Sequence, residues 1–138
     1  MEENKIDKFN VLALGIIFDP KEKKILIGKR ENDPYIPELT WCIPGTSVKN
    51  SEDVDKALKR GLKEKTGYIV KNIGTFFSET HEQKPDLLSV YFLTQVFEGQ
   101  EKPGGDIKEL KWISPKEIDN YCSTNLHRKL KEFLNELV

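Results

Sequence analysis

Apolar residues crowd the stretch Phe9 to Phe18 (Phe-Asn-Val-Leu-Ala-Leu-Gly-Ile-Ile-Phe) and return at Ile25-Leu-Ile before Gly-Lys-Arg30. Asp19-Pro20 and a lysine-rich turn separate the two runs, which predicts a pair of strands. The first is nearly continuous in its apolar character, as expected of a strand buried on both faces. Ile69 to Thr80 and Leu87 to Phe97 are the next strand candidates, joined by the polar connection His81 to Asp86. In the second of these, Leu88, Val90, Phe92, Thr94 and Val96 alternate with Leu87, Ser89, Tyr91, Leu93, Gln95 and Phe97. Both faces are apolar, so helices should cover both. Gly99 to Asp106 reads as a loop and Ile107 to Ile113 as a last short strand.

Helical spacing appears between these strands. Val54, Ala57, Leu58, Gly61 and Leu62 recur at three and four residues, which places them on one face of a helix that packs on a sheet. Ser51 is the expected N-cap, Glu52 and Asp53 the acids of the first turn, and Gly67 the C-terminal stop. Ser114-Pro-Lys-Glu117 has the pattern of a capping box that opens a short helix. Leu126, Leu130, Phe133, Leu134 and Leu137 outline a final amphipathic helix. Strands, helix, strands and helices in this order imply an α/β (α+β) fold, an α/β/α sandwich around a mixed β-sheet.

Composition narrows the function classes. A chain of 138 residues is long enough for one domain, residues 1–138, with its own core. Charged residues make up 33% of it yet nearly cancel to a net charge of -1, which argues against wholesale binding to nucleic acid or membrane. With no long apolar run and no secretory leader, the expectation is a soluble cytoplasmic protein. Cys42 and Cys122 have no partners at zinc spacing and read as free thiols.

The stretch Trp41-Cys-Ile-Pro-Gly45 through Tyr68 carries the chemistry. It resembles the Nudix hydrolases, whose box reads G, five residues, E, seven residues, then R-E-U-x-E-E-x-G-U with U a bulky apolar residue. Gly45, Glu52, Arg60, Leu62, Glu64, Gly67 and Tyr68 match, with seven residues between Glu52 and Arg60. Glu109 to Glu117, around Trp112, adds to the likeness. Three departures stand out. Six residues separate Gly45 from Glu52, Thr46 stands where a second glycine is usual, and Gly61 and Lys65 stand where the box has glutamates.

The resemblance implies hydrolysis of a nucleoside diphosphate linked to another moiety, assisted by Mg2+, a hard cation that takes oxygen ligands. Carboxylates three and four residues apart on a helix share one patch. Gly61 adds no ligand to that patch, and Lys65 adds a cation. The candidate catalytic residues are Glu64, Glu52, Arg60 and Glu109, and the candidate metal ligands are Glu64 and Glu52. Glu101, Asp106 and Glu109 are the late acids from which a further ligand or the general base would come, and the expected partner of Arg60 is Glu52. Substrate-binding candidates are Arg30, Tyr35 in its proline-flanked loop, and Lys65, which either contacts phosphate as a point charge or pairs with a surface acid. Gly61 reads either as close helix-to-sheet packing or as a lost catalytic position. Trp41, Trp112, Phe76 and Phe77 read as core. His81, beside Glu79 and Glu82, reads as a hairpin residue or an acid-base group. The implied partner is a small nucleotide or nucleoside diphosphate derivative, with a homodimer as a further expectation. The alternative is a catalytically silent module that binds a nucleotide or a protein in the same cleft.

Overall fold

The computed structural model describes residues 6–31, 40–81, 84–122 and 126–137. Seven strands form one sheet: β1 (Asn10–Asp19), β2 (Lys24–Arg30), β3 (Thr40–Cys42), β4 (Gly45–Ser47), β5 (Tyr68–His81), β6 (Lys84–Gly99) and β7 (Ile107–Ile113). The helices are α1 (Val54–Thr66), α2 (Ile118–Tyr121) and α3 (Arg128–Glu136), with a 3-10 turn at Pro115–Glu117 leading into α2. The main path runs β3-β2-β1-β6-β5, with β4 added to β1 and β7 to β2. β1 and β6 are parallel, from Asn10 opposite Leu87 to Ile17 opposite Thr94, and the other pairs are antiparallel. The sheet is therefore mixed, as the element order implies.

Alternation along the strands sorts the core into two layers. Ala13, Ile17, Leu26, Val70 and Phe92 meet Leu58 and Leu62 of α1 on one face. Ile16, Ile25, Ile27, Tyr91 and Ile113 meet Ile118 of α2 and Leu130 and Leu134 of α3 on the other. Neighbouring residues of one strand point to opposite faces, so a central strand with helices on both sides must be apolar at nearly every position. This is the expected α/β/α sandwich. Trp41, Phe76 and Phe77 pack on the α3 side and Trp112 on the α1 side, in keeping with their reading as core. No helix among the described residues is long and apolar enough to cross a membrane.

Several local expectations need correction. Ser51 is not the N-cap: its φ of 61° puts it in the left-handed region, and its hydroxyl donates to the Asn50 carbonyl. Asp53 takes the cap position with extended backbone, so Glu52 precedes the helix and Asp55 is the acid of its first turn. Val54 is exposed, and Thr66 extends the buried face instead. Ser114 makes no side-chain cap bond, and the chain after it opens as a 3-10 turn. β4 was not expected, because a three-residue strand is too short to show a period. Gly67 does end α1, with a φ of 82°.

Candidate active site

The site arises where two neighbouring strands part. β1 and β2 pair at Phe18 with Ile25 and at Asp19 with Lys24, next to their connecting turn. Further along, β1 takes β4 at Leu12, Ala13 and Leu14, whereas β2 takes β3 and β7. Each strand thus satisfies its backbone groups with a different neighbour, and a cleft opens between them. Its cavity is about 360 Å³, lined among others by Leu12, Leu14, Arg30, Lys49 and Lys65.

The turn into α1 carries the matched motif. Arg60 grips Glu52 with two parallel bonds, Nε to Oε2 at 2.9 Å and Nη2 to Oε1 at 3.0 Å. Such a bidentate pair fixes direction as well as distance. Lys49 N donates to the same carboxylate at 3.1 Å, and Arg60 Nη2 also donates to the Ser47 carbonyl at 3.3 Å. The pair therefore ties the loop after β4 to the middle of α1, and Glu52 is the partner expected for Arg60. Hydrogen bonding by Arg60, then by the Lys49 backbone, lowers the Glu52 carboxyl from 4.5 to about 2. Glu64, one turn on, lies 3.7 Å from Arg60 Nη1 and is 58% exposed, against 13% for Glu52.

The two departures in the helix have physical counterparts. A Cβ at Gly61 would stand 2.4 Å from Thr46 Cγ2 and 2.6 Å from Thr46 Cβ. Helix and strand are in contact here, and Thr46, itself in the place of a glycine, fills the room that a side chain at position 61 would need. Close packing is thus the account of Gly61. Lys65 reaches across to β4: its Nζ donates to the Gly45 carbonyl at 2.5 Å and lies 3.4 Å from Asp106 Oδ1.

Asp106 receives Arg30 on its other oxygen, Nε to Oδ2 at 2.7 Å. Burial alone would raise the Asp106 carboxyl, but Lys65 and Arg30 outweigh it and hold the group below the usual carboxylate range. Of the late acids, Asp106 is the one paired with residues of the cleft lining, Arg30 and Lys65. Its place is set by backbone bonds from its loop to the end of α1, Lys102 N to the Thr66 carbonyl at 2.8 Å and Gly104 N to the Lys65 carbonyl at 3.2 Å. These satisfy carbonyls that a helix end leaves open. Glu101 instead accepts from Trp112 Nε1 at 2.7 Å and Tyr68 Oη at 3.2 Å. Glu109 is exposed on β7 opposite Lys29, outside the cavity lining. His81 Nε2 lies 3.0 Å from Ser89 Oγ, and His127 caps α3 by accepting from Lys129 N. Tyr35 lies outside the described residues. Cys42 lines the cleft and Cys122 is buried, and no disulfide joins them.

The donor set decides what kind of Mg2+ site these residues fit. Among the described residues no cluster of three or more His, Cys, Asp or Glu side chains could hold a metal. Glu52 is committed to Arg60, Gly61 contributes nothing, and the Gly45 carbonyl is taken by Lys65. Of the two carboxylates in the matched motif, Glu64 is the one that would meet a single ion, with water and substrate phosphate as its other ligands.

A cleft between diverging strands, floored by a glycine turn and a helix with a half-buried Glu-Arg clamp, defines a class that comparison identifies. The NUDIX domain family model matches residues 8–137. The chain is 34% identical over 102 residues to a protein named ADP-ribose pyrophosphatase from Methanocaldococcus jannaschii, covering 72% of this chain and 58% of that relative. It is 27% identical over 119 residues to a putative 8-oxo-dGTP diphosphatase from Bacillus subtilis, covering 83% of this chain and 74% of the relative. The crystal structure of a NUDIX hydrolase from Nitrosomonas europaea superposes with a TM-score of 0.79 at 20% identity, covering 96% of this chain and 73% of that one. The chain belongs to the NUDIX family.

Proposed function

We propose that this protein hydrolyses the pyrophosphate link of a nucleoside diphosphate joined to another moiety. The observation that carries the reading is the Glu52–Arg60 clamp beside a cleft lined by Arg30, Lys49 and Lys65. Family membership and the names of two relatives, a pyrophosphatase and a diphosphatase, support the same bond as the target. Water attacks phosphorus, and the three cations stabilise the charge that grows on the phosphate oxygens. Glu64 and Glu109 are the proposed carboxylates for activating that water. Mg2+, met by Glu64, would polarise the phosphoryl oxygens when bound. In this reading Glu52 supports an ion through Arg60 and Glu64. A cytoplasmic location and a nucleotide-sized partner belong to the proposal, as does a homodimer.

A second reading is favoured by one specific feature. Thr46 against Gly61, and Lys65 on the Gly45 carbonyl, occupy two positions where the family box places glutamates. A module that binds a nucleotide without cleaving it accounts for both. The experiment is a panel of nucleoside diphosphate derivatives assayed with and without Mg2+. The natural protein is compared with the Thr46→Gly, Gly61→Glu, Lys65→Glu variant, in which Thr46→Gly makes room for the new side chain. Metal-dependent turnover by the natural protein, with no gain in the variant, supports the hydrolase. Turnover by the variant alone overturns it in favour of the silent module. Loss of turnover in Glu109→Gln identifies Glu109 as the water-activating group, whereas retained turnover there with loss in Glu64→Gln leaves both water activation and Mg2+ binding to Glu64.

A further inference from the structure

We propose that the cleft holds a diphosphate without a metal ion, using the Lys65 ammonium, fixed between the Gly45 carbonyl and Asp106, as its built-in cation. The proposal rests on the proposed function only for the diphosphate nature of the ligand.

The ammonium stands among oxygens, as a small hard cation would: a backbone carbonyl at 2.5 Å and a carboxylate oxygen at 3.4 Å. An ammonium has three N–H donors. The Gly45 carbonyl takes one of them, and Asp106 Oδ1 makes an ion-pair contact without an aligned hydrogen bond. The side chain keeps donor capacity for a ligand, and at 21% exposed it is open to the cavity it lines. Position is fixed from both ends. β4 sets the carbonyl, and the loop bonded to the end of α1 sets Asp106. A lysine on a free surface must give up side-chain freedom when it binds, whereas this one has already done so.

The surrounding charge favours an anion. Arg30, Lys49 and Lys65 against Asp106 leave the cleft with a net positive charge. Cations at the edge of a cavity with apolar walls such as Leu12 and Leu14 act through a lower dielectric than they would in open water. The same lysine disfavours a divalent ion, because a second cation near it would meet repulsion. The Thr46–Gly61 contact acts in the same direction by closing the space in which a further carboxylate could stand.

The test is titration of the full-length protein with inorganic pyrophosphate, in chelator and then in excess Mg2+, followed by calorimetry. Binding in chelator is the expected result, and binding that appears only with Mg2+ overturns the proposal. Lys65→Gln should weaken metal-free binding about 10- to 100-fold, the worth of one hydrogen bond to a charged group. Lys65→Arg should retain most of it. Affinity unchanged in Lys65→Gln would also overturn the proposal. The chelator experiment on the natural protein needs no variant, so misfolding of one leaves the test intact. Metal-free binding of pyrophosphate without turnover of any nucleotide would defeat the proposed hydrolysis and leave this inference standing.

Discussion

Replacing Gly61 by alanine tests whether helix α1 and strand β4 are locked together. Taken alone, glycine to alanine inside a helix is stabilising by about 1 kcal/mol. Here the added Cβ would lie 2.4 Å from Thr46 Cγ2 and 2.6 Å from Thr46 Cβ. Carbon atoms in contact prefer about 3.5–4.0 Å, so the overlap exceeds an ångström. The Thr46 methyl can rotate away, but its Cβ moves only with the backbone of β4, which is bonded to β1. A cost near the upper end for overpacking, about 3 kcal/mol, leaves Gly61→Ala destabilised by about 2 kcal/mol. With Thr46→Gly in place the obstacle is gone, and the same change should stabilise by about 1 kcal/mol. The double-mutant cycle thus predicts a coupling of about 3 kcal/mol, read from urea unfolding of the four proteins. Stabilisation by Gly61→Ala in the natural background, or coupling below about 0.5 kcal/mol, would refute the interlock.

Three more substitutions probe the frame of the site. The Glu52 carboxyl is lowered from 4.5 to about 2, so its stabilising effect is full above 4.5 and fades as pH falls toward 2. Glu52→Gln should be less stable at neutral pH and flatter through that acid window, as followed by urea midpoints against pH. Gly67→Ala would force φ 82° on an L residue and set a Cβ 2.1 Å from the Gln100 carbonyl oxygen, costing at least about 2 kcal/mol in urea unfolding. Asp106→Asn removes the shared counter-charge of Arg30 and Lys65. It should lower stability by about 1 kcal/mol yet tighten pyrophosphate binding in calorimetry, because the cleft becomes more positive.

The layers of the fold were legible wherever a residue's neighbours were set by local period. Phe92 and Tyr91 fall on opposite faces as their alternation requires, and Leu58 and Leu62 lie one turn apart on the buried side of α1. The Glu52–Arg60 partnership was expected from the family resemblance, in which the arginine of the box orients an acid by a salt bridge. The cap of α1 was misread because Ser51 has the right side chain but a left-handed backbone, which no residue pattern announced. β4 escaped notice for want of length. The contact between Thr46 and Gly61 and the meeting of Arg30, Lys65 and Asp106 join residues far apart in the chain. Only the folded sheet brings them together, although two departures from one motif, at Thr46 and Gly61, were a signal of compensation between the two positions.

The backbone bonds between the loop after β6 and the end of α1 make those two segments inseparable in any redesign. Loops of this kind are ordinarily where related proteins exchange lengths freely. Here Lys102 N and Gly104 N are spoken for by helix carbonyls, and a Cβ at Gly104 would run into the Glu64 carbonyl oxygen at 2.1 Å. A loop transplanted from a relative would arrive without its matching helix end, displacing Asp106 and with it the anchor of Lys65. Successful chimeras of this protein should therefore carry 60–67 and 99–106 as a single cassette.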